Sequence, residues 1–128
     1  MTDNATILVV EDDGLIGWHL ADELQDAGFE VAGPFPTSAE ALEYLSGHEP
    51  AAALLDVVLL DGTSEFLASA LLDRGIPYVV HSGVAPRDLD GLLGLAPWVE
   101  KPSRPAALVA ALDALLPDHR YRSAAPVA

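Results

Sequence analysis

Apolar runs short enough to be buried strands alternate along this chain with segments of helical periodicity, five times in all. That alternation is the pattern of strand-helix units wound around a parallel sheet. The first run, Thr6 to Val10, leads into a segment from Gly14 to Ala27 that carries Ile16, Leu20 and Leu24 at four-residue spacing and stops at Gly28. A short second strand over Phe29 to Ala32 follows. Thr37 and Glu40 stand at capping-box spacing ahead of Ala41, Leu42 and Leu45, and Gly47 closes that helix. Ala51 to Asp56 reads as a fully buried third strand. After a tight Asp61-Gly62 turn, Ser64 is placed to cap a third helix through Leu72, ended by Gly75. Pro77 to Ser82 is the fourth strand. The fourth helix, near Arg87 to Leu93, is weakened by Gly91 and Gly94, each costing about 1 kcal/mol relative to Ala. Trp98 to Glu100 makes the fifth strand, and Pro105 to Leu116 the last helix, with Leu108, Leu112 and Leu115 inward.

Right-handed crossovers leave few ways to wind five parallel strands. The common one is the flavodoxin-like (βα)5 doubly wound α/β sheet, strand order 2-1-3-4-5, with ligands outside the carboxyl ends of the strands. The expectation is one domain over residues 1–117 and a flexible tail over 118–128, where no periodic signal remains. Twenty acidic against six basic residues give a charge of −14, which repels a phosphate backbone and argues against direct nucleic-acid binding. The absence of cysteine excludes disulfides and thiolate-bound zinc. The start lacks the positive and apolar regions of a signal peptide, and no apolar run approaches about 20 residues. A cytoplasmic protein that does not enter the membrane is therefore expected.

The predicted strand ends carry the chemistry. Strand one runs into Glu11-Asp12-Asp13, which by itself reads equally well as a solvated turn with Asp13 capping the next helix. Strand three ends on Asp56 between apolar residues, and a carboxylate there needs a cation or a hydrogen-bond partner. Neighbouring strands would bring Glu11, Asp12 and Asp56 to one rim, where three anions repel unless a hard cation joins them. Mg²⁺ suits such a site, since it takes oxygen ligands and keeps water positions that a phosphate oxygen can fill. Strands four and five end with Ser82 and with Lys101-Pro102. Singly, these are ordinary turn and surface residues; together with the acids they form a constellation hard to obtain by chance.

Those residues, in that order, closely resemble the receiver domains of bacterial two-component response regulators, over about Thr6 to Leu116. The resemblance implies that Glu11 and Asp12 hold Mg²⁺ together with Asp56 and the backbone carbonyl of Val58, and that Asp56 accepts a phosphoryl group. It further implies that Ser82 and Lys101 contact the phosphoryl oxygens, that Ser82 and Trp98 act as switch residues, and that Pro102 is cis. Trp98 reads almost equally well as a core side chain. The implied partners are a sensor histidine kinase or phosphotransfer protein and a downstream protein that docks on the face of the fourth helix, fifth strand and fifth helix. No separate substrate turnover is implied.

The chain departs from the family pattern after Asp56, where Val57-Val58-Leu59-Leu60-Asp61-Gly62 lacks the usual proline and is shorter. Val58 and Val84, at positions that influence water attack on the acyl phosphate, are both apolar, so a long-lived phosphoryl group is expected. The expectation is a stand-alone receiver without an output domain, acting through another protein. The alternative is a degenerate receiver that binds partners independently of phosphorylation. A flavin-binding protein would place a hydroxyl- and glycine-rich loop after strand one, where this chain has three carboxylates. An aspartyl phosphatase would carry its nucleophile at strand one and a cap domain that this length does not accommodate.

Overall fold

The computed structural model describes residues 4–83, 88–89 and 91–116. Strand β1 (Thr6–Val10) is followed by α1 (Gly14–Asp26), β2 (Glu30–Phe35), α2 (Ser38–Leu45) and β3 (Ala52–Leu55). A small hairpin of β4 (Val58–Leu59) and β5 (Gly62–Thr63) precedes α3 (Glu65–Asp73), β6 (Tyr78–Ser82), α4 (Gly91–Leu95), β7 (Trp98–Glu100) and α5 (Pro105–Leu115). Five strands form one parallel sheet in the order β2-β1-β3-β6-β7. Apart from the hairpin, this is the predicted 2-1-3-4-5 order of the flavodoxin-like winding.

Alternation along each strand divides the core in two. Ile7, Val9, Ala52, Leu54 and Val79 face α1 and α5 through Leu20, Leu24, Leu108 and Leu112. Leu8, Val10, Ala53, Leu55 and Val80 face α2, α3 and α4 through Ala41, Leu45, Leu67, Leu71 and Leu93. Each such leucine stabilises by roughly 1.5–3 kcal/mol on burial, so the central strands are strongly held. Their register then dictates what emerges at the rim. Val10 pairs with Leu55, so the next residues, Glu11 and Asp56, leave the sheet side by side.

Several elements differ from the sequence reading for identifiable reasons. The second strand runs over Glu30–Phe35, not Phe29 to Ala32, because Gly33 at φ +105° and Pro34 occupy an irregularity in the β1–β2 register. Beyond it Phe35 pairs again with Val10. Strand three is Ala52–Leu55 and leaves Asp56 just outside. Helix α1 buries Gly17, Leu20, Ala21 and Leu24, whereas Ile16 is partly exposed. Ser64 stands at the N-cap of α3 but makes no side-chain cap bond, because its hydroxyl turns inward. Helix α4 covers Gly91–Leu95, and Arg87, like Val84 and the tail 118–128, lies outside the described residues.

The Asp61-Gly62 turn belongs to the β4–β5 hairpin, and its carboxylate has a long-range role. Asp61 accepts the Ser38 amide at 2.9 Å and the Ala39 amide at 3.1 Å, at the start of α2. Thr37 caps the same helix through the Glu40 amide at 3.1 Å, and its hydroxyl donates to the Glu40 carboxylate. The hairpin is thus fastened to α2 by an ionised side chain.

The Ser38 amide, with that of Ala39, holds the Asp61 carboxyl below its ordinary pKa. A depressed folded pKa means that the contribution is present above the unfolded value and is lost as pH falls through the folded one. Asp61→Ala is expected to lower the melting temperature at neutral pH, with the gap to wild type narrowing on acidification. A gap that stays constant or widens contradicts the capping role.

Candidate functional site

The carboxyl ends of β1, β3, β6 and β7 meet at one rim. Glu11 follows β1 and its amide donates to the Phe35 carbonyl at 2.9 Å, while the Asp56 amide donates to the Val10 carbonyl at 3.0 Å. Lys101 follows β7 and its amide donates to the Ser82 carbonyl at 2.9 Å. The backbone of each of these residues is therefore tied to a neighbouring strand.

Carboxylate oxygens of Glu11, Asp12 and Asp56 lie within 4.8 Å of one another. Two carboxylates at that distance of 4.8 Å repel by about 3 kcal/mol at an effective dielectric near 20. Lys101 offsets part of this. Its Nζ donates to Glu11 Oε1 at 2.9 Å and to Asp56 Oδ2 at 3.0 Å. The remaining oxygens also have partners: Glu11 Oε2 accepts the Asp13 amide at 3.2 Å, and Asp56 Oδ1 accepts the Val57 amide at 2.8 Å.

Burial pushes the Glu11 carboxyl up to about 7, against the lowering effect of Lys101 and with a further rise from Asp56. Burial alone would lower the Lys101 ammonium, but its bonds to Glu11 and Asp56 raise it on balance. The group is thus a single cation shared by a nearly inaccessible acid and a more accessible one. Three oxygen donors of this type, carrying an excess of negative charge, fit a hard divalent cation such as Mg²⁺.

Ser64, which sequence spacing suggested as a helix cap, instead supports Asp56 from below. It is fully buried, and its hydroxyl donates to the Asp56 carbonyl at 2.6 Å and more weakly to that of Val57 at 3.3 Å. Asp13 is set apart from the cluster as the N-cap of α1, accepting the Leu15 and Ile16 amides at 3.0 and 3.1 Å. Ser82 is buried at the end of β6. Val58 opens the hairpin and is exposed. Trp98 is partly buried against the α2–α3–α4 side of the core. The Lys101-Pro102 peptide is cis, as is Gly33-Pro34.

His81 faces the other side of the sheet from Ser82. Its Nε2 lies 3.1 Å from Ser103 Oγ, in a cavity of about 570 Å³ bounded by α1 and the start of α5. Burial, then the nearby Lys101 charge, lowers its pKa to about 4, so it is neutral at physiological pH. Among the described residues no helix is long and apolar enough to cross a membrane.

No family model matches the chain. Among curated proteins it is 32% identical over 88 residues to the transcriptional regulatory protein PdtaR of Mycobacterium tuberculosis, covering 65% of this chain and 41% of that protein. The chain thus spans about two fifths of the length of the curated relatives it matches. Among solved structures, SdrG of Sphingomonas melonis is 35% identical with a TM-score of 0.76, over 91% of this chain and 99% of SdrG. The receiver domain of the TMAO respiratory response regulator TorR is 25% identical with a TM-score of 0.77, over 89% of this chain and 98% of that domain.

The shared cation generates a stability prediction. Lys101→Met leaves Glu11, whose side chain is 2% exposed, without its counter-charge. The expected loss is about 1–3 kcal/mol in metal-free urea unfolding. Glu11→Gln in the same background is expected to recover part of it, because a neutral amide needs no cation. Two additive losses would show that the pair does not interact.

Proposed function

Because the chain belongs to the receiver-domain family of two-component response regulators, we propose that it accepts a phosphoryl group on Asp56 with the help of Mg²⁺ and thereby switches a protein-binding surface. The observation that carries this reading is the Lys101 ammonium bridging Glu11 and Asp56 beside Asp12 at the sheet rim. Glu11, Asp12, Asp56 and the Val58 carbonyl would hold Mg²⁺, which supplies charge neutralisation for an entering phosphoryl group.

The residues of the chain account for the rest. A carboxylate oxygen of Asp56 attacks phosphorus in line as the bond to the donor's leaving atom breaks, giving an acyl phosphate. The Val57 amide and the Ser64 hydroxyl hold the two ends of the Asp56 residue, side-chain oxygen and backbone carbonyl, so the nucleophile arrives already oriented. Lys101 moves its donors from Asp56 toward the phosphoryl oxygens, and the hydroxyl of Ser82 turns toward the same oxygens. With Ser82 displaced, the Trp98 side chain turns inward into the space left beside β7. Val58 has no group with which to orient an attacking water, which favours a long-lived phosphoryl state.

A sensor histidine kinase or phosphotransfer protein in the cytoplasm is the donor in this reading. The recipient of the signal is a separate protein docking on α4, β7 and α5. The chain acts by its own modification and turns over no separate substrate.

Incubation with acetyl phosphate, followed by mapping of the acid-stable and hydroxylamine-labile label, tests the proposal. Labelling is expected at Asp56, only with Mg²⁺ present, and is abolished in Asp56→Asn. Undiminished labelling of that variant overturns the assignment. A wild-type chain that takes no label yet binds its partner would instead be a phosphorylation-independent module.

A further inference from the structure

Glu65 opens α3, and its carboxylate crosses to the start of α4. The Leu92 amide donates to both carboxylate oxygens, at 3.0 and 2.9 Å, and the Leu93 amide to Oε1 at 3.4 Å. Gly91 makes this approach possible. At φ +68° it lies against the carboxylate, and a Cβ there would stand 2.7 Å from Glu65 Oε2.

Helix α4 depends on such outside support. It has five residues, Gly91 and Gly94 among them, too few for its own hydrogen bonds to offset the cost of forming the first turn. It is held by burial of Leu93, by the Tyr78 hydroxyl donating to the Leu92 carbonyl at 3.4 Å, and by Glu65. Among the described residues the two bonds from the Leu92 amide to Glu65 are its shortest polar tethers, and they involve a charge, which makes them stronger than the bond from Tyr78.

Glu65 is also the residue next to Ser64, whose hydroxyl is bonded to the Asp56 carbonyl at 2.6 Å and whose amide donates to the Val57 carbonyl at 2.8 Å. One peptide unit therefore separates an anchor on Asp56 from the tether on α4. A shift of the backbone at Asp56 displaces Ser64, and the bonds from Glu65 to Leu92 and Leu93, all made by one side chain, break or hold together.

We infer that Glu65 is a latch that holds α4 in the position it takes while Asp56 is unmodified, and that modification of Asp56 releases it. The inference rests on the reading of Asp56 as phosphoacceptor and adds the residue that opposes the switch. A contact made in one state alone stabilises that state, and its removal must favour the other to the same extent.

The test uses the full ¹⁵N-labelled chain with Mg²⁺ and beryllofluoride as the phosphoryl mimic. In free wild type the Leu92 and Leu93 amides are expected to exchange slowly with solvent; they exchange fast when the mimic is bound, and fast in Glu65→Ala without it. Glu65→Ala is expected to bind the mimic about ten-fold more tightly, within the range usual for coupled sites. Glu65→Gln, which keeps one acceptor oxygen and most of the packing, is expected to fall between and carries the comparison if the alanine variant does not fold.

Amides that stay protected with the mimic bound overturn the latch, as does mimic affinity unchanged or weakened in both variants. Those results leave the phosphoacceptor reading standing. A wild-type chain that does not bind the mimic at all overturns both.

Discussion

The rim of this sheet depends on one ammonium group. Glu11, Asp12 and Asp56 are driven together by the pairing of β1 with β3, a register that the two buried core clusters enforce. Without a cation their repulsion would act directly against that register. Lys101 supplies the charge from the end of β7, bonding the buried acid and the accessible one at once. A carboxylate cluster of this sort costs stability, which the core offsets; the result is a site that attracts cations.

Around this rim the fold joins a stiff frame to a loosely built edge. The inner strands are buried on both faces and can hardly move without opening the core. Helix α4 is short, glycine-containing and fastened by side chains of other elements, Tyr78 from β6 and Glu65 from α3. Asp56 sits where the two meet, with its amide bonded to β1 and its carbonyl bonded through Ser64 to the start of α3. In the proposed switch, a charge added at this junction acts on the edge more than on the frame.

Much of this was legible in the sequence because it depends on local periodicity. Thr6 to Val10 and Trp98 to Glu100 were bounded correctly by apolar runs and the polar residues after them, and the sheet order followed from the handedness of crossovers. The polar residues that end the strands were visible as a set for the same reason. What escaped were contacts between residues distant in sequence. Ser64 has the identity and place of a helix cap, and nothing nearby shows that its hydroxyl instead meets the Asp56 carbonyl. Asp61 capping α2 and Glu65 holding α4 join positions more than twenty residues apart. Gly33-Pro34 resembles a strand terminator, yet β2 continues past it through a bulge.

A structure of the chain with Mg²⁺ and beryllofluoride tests the central claim, that Lys101 serves the carboxylates in the free protein and the phosphoryl group in the modified one. The account predicts the mimic bonded to an Asp56 oxygen, Mg²⁺ among Glu11, Asp12, Asp56 and the Val58 carbonyl, and the Lys101 ammonium shifted from Asp56 onto the mimic. A mimic bound elsewhere, or a Lys101 ammonium still on Asp56 with the mimic in place, would contradict it.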